Sequence, residues 1–141
     1  MRSGIVLIEL LIAMVLAAML GAIAVPRLVA AADAAAVRDE ILRAVAAFDA
    51  ARGAAVRLGA VASLTLSDTS YRVTAIVGVD TILAWRQVGP ARNGVTVGGT
   101  GAAIGFSPDG LALGVANRTI TLSRGSVSRR VVMSKYGRLT Y

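Results

Sequence analysis

The stretch from Ile5 to Val25, "IVLIELLIAMVLAAMLGAIAV", runs for 21 residues and carries a single charge, Glu9. A water-soluble domain has no ready way to cover so long an apolar run. A helix of that length rises about 31 Å, which matches the ~30 Å hydrocarbon core of a bilayer. Pro26 and Arg27 close the run, while Arg2 and the amino terminus stand at its other end, favouring a cytoplasmic N-terminus. A secretory signal peptide competes for the same residues, and "AIAV" resembles a cleavage site. Such a signal, however, has an apolar core of only ~7–15 residues with no acid inside it.

Composition narrows the chemistry. The chain has 141 residues and is 56% hydrophobic, high for a soluble domain of this size, and it contains neither cysteine nor histidine. Disulfides, thiolate or imidazole metal sites, and catalysis by Cys or His are thereby excluded. The remaining carboxylates, Lys, Tyr, Ser and Thr form no recognisable reactive constellation. No catalytic residue, metal or cofactor is assigned, and an enzyme is not expected. The formal charge of +7 suits an anionic partner, either lipid headgroups or nucleic acid.

Beyond Pro26 the pattern stays helical. Val37, Ile41, Val45 and Phe48 recur at helical spacing and form one apolar stripe. Arg38, Asp39, Arg43, Asp49 and Arg52 lie mostly off it, with Asp39 and Arg43 spaced as an i,i+4 ion pair. Asp39 and Glu40 read as solvated acids beside Arg38 and Arg43. Gly59 is a natural stop. The spacing predicts one long helix over about 5–58, with a lipid-embedded segment at 5–28 and an amphipathic segment at 29–59 that packs on a domain.

From residue 61 the period drops to two. "VASLTLS", "SYRVTAIVGV", "TILAWRQV", "GVTVG", "AIGFS", "LALGV", "RTITLS", "RRVVMS" and "RLTY" read as short strands. Turn signals separate them at Asn93-Gly94, Pro108-Asp109-Gly110, Arg124-Gly125 and Tyr136-Gly137. The Gly-rich stretch 94–105 reads as a loop between strands. Asp68, Asp80 and Asp109 fall at turns, where Asp needs no catalytic role. The expected class is therefore α+β: a long N-terminal helix packed on an antiparallel, small sandwich-like β domain at 60–141.

One motif combines these features. A short polar leader, "MRSG", ends in Gly4; the apolar Ile5 follows, Glu9 is the fifth residue after Gly4, and Pro26 is the twenty-second. This arrangement resembles the type IV pilin and pseudopilin family. The resemblance implies a leader at 1–4, cut after Gly4 by prepilin peptidase, with methylation of the new N-terminus at Ile5. It further implies that Glu9 pairs with the N-terminal amine of a neighbouring subunit during filament assembly. An intramembrane acid costs roughly 2.5–3.5 kcal/mol on insertion scales and is functional by default. Val6 and Ile5 depart from the family's commonest residues, Thr and Phe, without touching the features that cleavage needs.

The C-terminal half is similar to the GspH/FimT group of minor pseudopilins, through "IGFSPDG" (104–110), "RTITLS" (118–123) and "RRVVMSKYGRLTY" (129–141). The resemblance implies a minor pseudopilin of the type II secretion system. It would be a single-pass protein of the inner membrane with its β domain in the periplasm. Other pseudopilins or pilins, the peptidase and membrane lipid would be its partners. The alternative is a FimT-like minor pilin of a type IV pilus that binds DNA for uptake. Arg118, Arg124, Arg129, Arg130, Lys135 and Arg138 follow residue 110 with no acid among them, and Arg129, Arg130, Lys135 and Arg138 are the candidate phosphate contacts. The group's DNA-binding Gly-Arg-x-Arg motif is incomplete, because Thr140 replaces its second Arg after Gly137-Arg138, so nucleic acid is the less favoured partner.

Two further motifs carry nothing. "GTGAAIG" (99–105) lacks the third Gly of a dinucleotide fingerprint, and no helix pattern follows it. Asn117-Arg118-Thr119 matches the short glycosylation sequon alone.

Overall fold

A single helix, α1 (Arg2–Leu58), runs unbroken through both halves expected from the sequence. The structure, a computed structural model, describes residues 2–99, 103–114, 117–134 and 136–141, with the side chains of residue 6 onward. Alanine and leucine, both strong helix formers, dominate α1. Pro26 sits inside it, and its missing N–H leaves the Ala22 carbonyl without the usual fourth-neighbour donor. The stop at Gly59 is a Schellman turn: Gly59 N donates to Val56 O (3.3 Å) and Ala60 N to Ala55 O (3.1 Å). Gly59 takes φ +57°, which a residue with a Cβ adopts only at a cost.

Among the described residues nine strands follow: β1 (Val61–Leu66), β2 (Ser70–Val77), β3 (Asp80–Val88), β4 (Thr96–Gly98), β5 (Ile104–Phe106), β6 (Ala112–Leu113), β7 (Arg118–Arg124), β8 (Val127–Met133) and β9 (Leu139–Thr140). They form two antiparallel sheets, one ordered β3-β2-β1-β5-β6 and one ordered β4-β7-β8-β9. The expected two-sheet arrangement is built around α1, which packs on strands of both sheets.

Three local readings change. "SYRVTAIVGV" is not one strand: β2 ends at Val77, and Gly78-Val79 form the two-residue turn into β3. The Gly-rich stretch 94–105 is not one loop but holds the strands read in "GVTVG" and "AIGFS": β4 joins the second sheet through β7, and β5 joins the first through β1. Residues 100–102 within it lie outside the described residues. Pro90–Asn93, unassigned from the sequence, form one turn of 3-10 helix ahead of Gly94.

The core lies between α1 and the sheets. Val37, Ile41 and Phe48 of the expected stripe are buried, and Val45 packs against them. Half of the helix's buried residues are alanine: Ala44, Ala47, Ala51, Ala54 and Ala55. Leu64, Tyr71, Val73, Ile104 and Phe106 meet it from the first sheet, and Ile120, Leu122, Val131 and Met133 from the second. Each large apolar side chain buried here contributes roughly 1.5–3 kcal/mol. Alanine on the helix lets both sheets approach closely while the strands supply the bulk.

Candidate functional site

Between Val6 and Ala32 no described side chain of α1 is buried. Val6, Leu7, Ile8, Leu10, Leu11, Ile12, Met14 and their successors as far as Val29 are all bare apolar surface. The helix is long and apolar enough to cross a membrane. Glu9 is exposed on this bare segment and is the only charge between Val6 and Arg27. Gly4 and Ile5 lie in the backbone of α1, and their side chains are outside the described set. Ile5 precedes Glu9 by one helical turn, about 6 Å along the axis. Pro26 lies about 26 Å further on, next to Arg27, at the opposite end of the apolar run.

The domain grips α1 from Asp33 onward. Arg124, at the end of β7, places Nε 2.9 Å from Asp33 Oδ1 and donates from Nη1 to Asn93 O at 2.7 Å. One guanidinium thus ties α1, the 3-10 turn and β7 together. The Arg124-Gly125 turn fits under Asp33 only because residue 125 is glycine. Gly125 has φ +54°, and a Cβ there would collide with Asp33 Oδ2. Arg124 is one of the six basic residues that follow residue 110 with no acid among them in sequence, and Asp33 of α1 neutralises it.

Glu40 corrects the sequence reading. Asp39 is solvated and pairs with Arg43 as expected, at 3.3 Å. Glu40 is instead fully buried on the face of α1 that meets β2. One residue's shift along a helix is a rotation of about 100°, which separates two acids adjacent in sequence. Neither carboxylate oxygen of Glu40 has a hydrogen-bond partner among the described residues, and neither do the Tyr71 hydroxyl and Gln87 Oε1. Tyr71 and Gln87 stand opposite each other on β2 and β3. Burial, and secondly the charge of Glu40, push the pKa of the Tyr71 hydroxyl far above the ordinary phenol range. No sequence signal marked this cluster, since Glu40 differs from its neighbour Asp39 only in helical phase.

The basic residues near the C-terminus do not all share a face: Arg130 and Arg138 lie on the outer side of the second sheet and Arg129 on the helix side. Val131 and Met133 point into the core, so alternation along β8 puts Arg129 on the helix side and Arg130 on the outer side. Arg129 lines a groove with Ala34, Ala35, Arg38, Ile41 and Tyr141. Arg138 lines another, on the outer side, with Asn117, Val132, Ser134, Tyr136 and Thr140. Lys135 lies outside the described residues. The "SPDG" segment is the turn its sequence suggests. There Ser107 Oγ donates to Asp109 Oδ1, which lowers the carboxyl's pKa, and also to Leu111 O at 3.0 Å. Among the described residues, no group of acids is placed to hold a metal ion.

A family-wide sequence profile described as Type II transport protein GspH matches residues 40–137. No curated protein sequence matches the chain. Among solved structures, the fold is similar to that of the type IV minor pilin FimU of Pseudomonas aeruginosa. The TM-score is 0.57 at 14% identity, covering 75% of this chain and 84% of that one.

Proposed function

This chain belongs to the family of the type II transport protein GspH, and on that premise we propose that it is a minor pseudopilin of a type II secretion system. Residues 5–28 anchor it in the inner membrane, and the domain that follows stands in the periplasm. Prepilin peptidase cuts after Gly4, Ile5 becomes the methylated N-terminus, and the subunit joins a pseudopilus.

The observation that carries this reading is the bare segment of α1 with Glu9 as its lone charge. An acid in hydrocarbon is costly, and the positive end of the helix dipole softens that cost only near the helix start. Cleavage after Gly4 creates a positive amine one turn from Glu9. In a packed helix bundle, the amine of one subunit and the Glu9 of its neighbour attract strongly only when the two are in register. The pair therefore selects the axial offset between subunits.

Glu9→Ala is the direct test. The variant is expected to insert and be processed normally, yet to fail to co-purify with crosslinked pseudopilins. Incorporation at the normal level would overturn the pairing role. The alternative reading, a DNA-binding minor pilin of a type IV pilus, draws less support, because Arg129 and Arg130 face opposite sides of β8.

A further inference from the structure

The outer face of the first sheet holds a charge arrangement that filament assembly through α1 does not use. Thr65, Arg72 and Arg86 form one cross-strand row over β1, β2 and β3, with Arg72 directly opposite Arg86. Both arginines are exposed. The ion pairs among the described residues are Arg43–Asp39 and Arg124–Asp33, so neither Arg72 nor Arg86 has a carboxylate within reach. Directly opposed antiparallel residues have Cβ atoms about 4.5–5.5 Å apart, and like charges at such positions destabilise the sheet.

The same row ends on an open edge. β3 is nine residues long and occupies the margin of its sheet, so along one side its backbone donors and acceptors meet no strand among the described residues. Natural edges of this length are usually blunted by lysine, proline or inward-pointing charge. β3 has no lysine and no proline; its devices against pairing are Asp80, at its first position on the inner face, and a bulge at Ala84, which has no partner in β2, and beyond the bulge Trp85–Val88 are interrupted only by the charge of Arg86. Leu83 (58% exposed) is the next outer-face residue to Arg86, and Ile76 (52% exposed) lies further along the same face, beyond Thr74.

We propose that the β3 edge is a docking site for an extended acidic segment of a partner protein. The segment adds a strand to this sheet and sets a carboxylate in the row of Arg72 and Arg86. Main-chain hydrogen bonds along the edge supply affinity, and the arginine pair supplies selectivity for an acid at one register.

A second copy of the chain is a poor occupant. Asp80 is the only acid in the nine strands, and alternation puts it on the opposite face from Thr81, Leu83 and Arg86. An edge-to-edge dimer therefore brings no carboxylate to the pair. Nucleic acid is also a poor fit, since the exposed Leu83 borders Arg86 and Ile76 stands further along the same face, whereas nucleic-acid interfaces are more polar and more strongly basic.

The test uses the full chain in nonionic detergent and a synthetic nine-residue peptide alternating Glu with Val. Trp85, the only tryptophan, lies on β3 and reports binding by its fluorescence. Expected are saturable binding and slowed hydrogen exchange at alternate β3 amides. Replacing the peptide's Glu by Gln, or combining Arg72→Glu with Arg86→Glu, should weaken binding by about tenfold or more, whereas the paired Lys variants stay within about threefold. Arg72→Glu alone should raise the melting temperature while lowering peptide affinity, because it relieves the opposed charges. No binding, binding indifferent to these changes, a lower melting temperature for Arg72→Glu, self-association through β3, or duplex DNA displacing the peptide would each overturn the proposal. None of these measurements involves a filament, so their failure leaves the pseudopilin reading as it stands.

Discussion

Arg124 Nε stands 2.9 Å from Asp33 Oδ1, and this contact joins the end of β7 to the point where α1 enters the domain. The acid is nearly buried and the base about two-fifths exposed, so the pair falls between a surface ion pair and a core one. Asp33→Ala leaves Arg124 with only the Asn93 carbonyl and should cost about 1–2 kcal/mol. Thermal melting of Asp33→Ala, Arg124→Ala and the double variant checks this, since the cycle isolates the pair. Coupling near zero would reduce the contact to packing alone.

Gly125→Ala should be worse tolerated than its exposed position suggests. The substitution combines a left-handed backbone with a Cβ driven into Asp33. The backbone alone costs about 1–2 kcal/mol. The added collision should also loosen the Asp33–Arg124 pair, so combining Gly125→Ala with Asp33→Ala should cost less than the sum of the two. Additive losses would contradict the collision.

The buried Glu40 and Tyr71 give a prediction of opposite sign. Tyr71→Phe removes a hydroxyl that makes at most a long contact to the Glu40 carboxylate, and should shift stability by less than about 1 kcal/mol. Glu40→Met exchanges a buried acid without a close hydrogen-bond partner for an apolar side chain of similar length, and should stabilise. A large fall in melting temperature for both would mean that these oxygens are satisfied by bound water.

Tyr71 further predicts an alkaline limit. Its hydroxyl pKa is higher in the folded protein than in the unfolded chain, so above about pH 10 the unfolded chain loses a proton that the folded one keeps. Stability tied to this group is fully present below that pH. It is lost as the pH rises further, at up to about 1.4 kcal/mol per pH unit. Tyr71→Phe should flatten this part of the profile, as read by denaturant melts between neutral and strongly alkaline pH.

The alanine face of α1 predicts intolerance to size. Ala51 and Ala54 are fully buried in the core between α1 and the sheets. Ala51→Leu should cost about 1–3 kcal/mol by overpacking, although leucine is nearly as good a helix former as alanine. A melt near that of the parent chain would show that the sheet can retreat.

Features set by local pattern were open to reading from the sequence. Period-two alternation located the strands, and the turn residues located most of their ends, because both depend on neighbours in the chain. The turn at Gly78-Val79 was hidden because Val79 prolongs an apolar run. Which strands share a sheet was not legible, since it depends on β5 pairing with β1 across about 40 residues of chain. The site divides in the same way. Glu9 was conspicuous as the one charge in an apolar run. The burial of Glu40, the capture of Arg124 by Asp33 and the meeting of Arg72 with Arg86 all arise from long-range register.

The continuity of α1 has a mechanical consequence. No loop separates its bare half from the half wedged against the sheets. A push along the axis at Glu9 therefore travels as through a strut, and each ångström of axial travel reaches the β domain almost undiminished. Pro26, where one backbone hydrogen bond is missing, is the compliant joint of that strut, and bending should concentrate there before the domain lets go at Asp33.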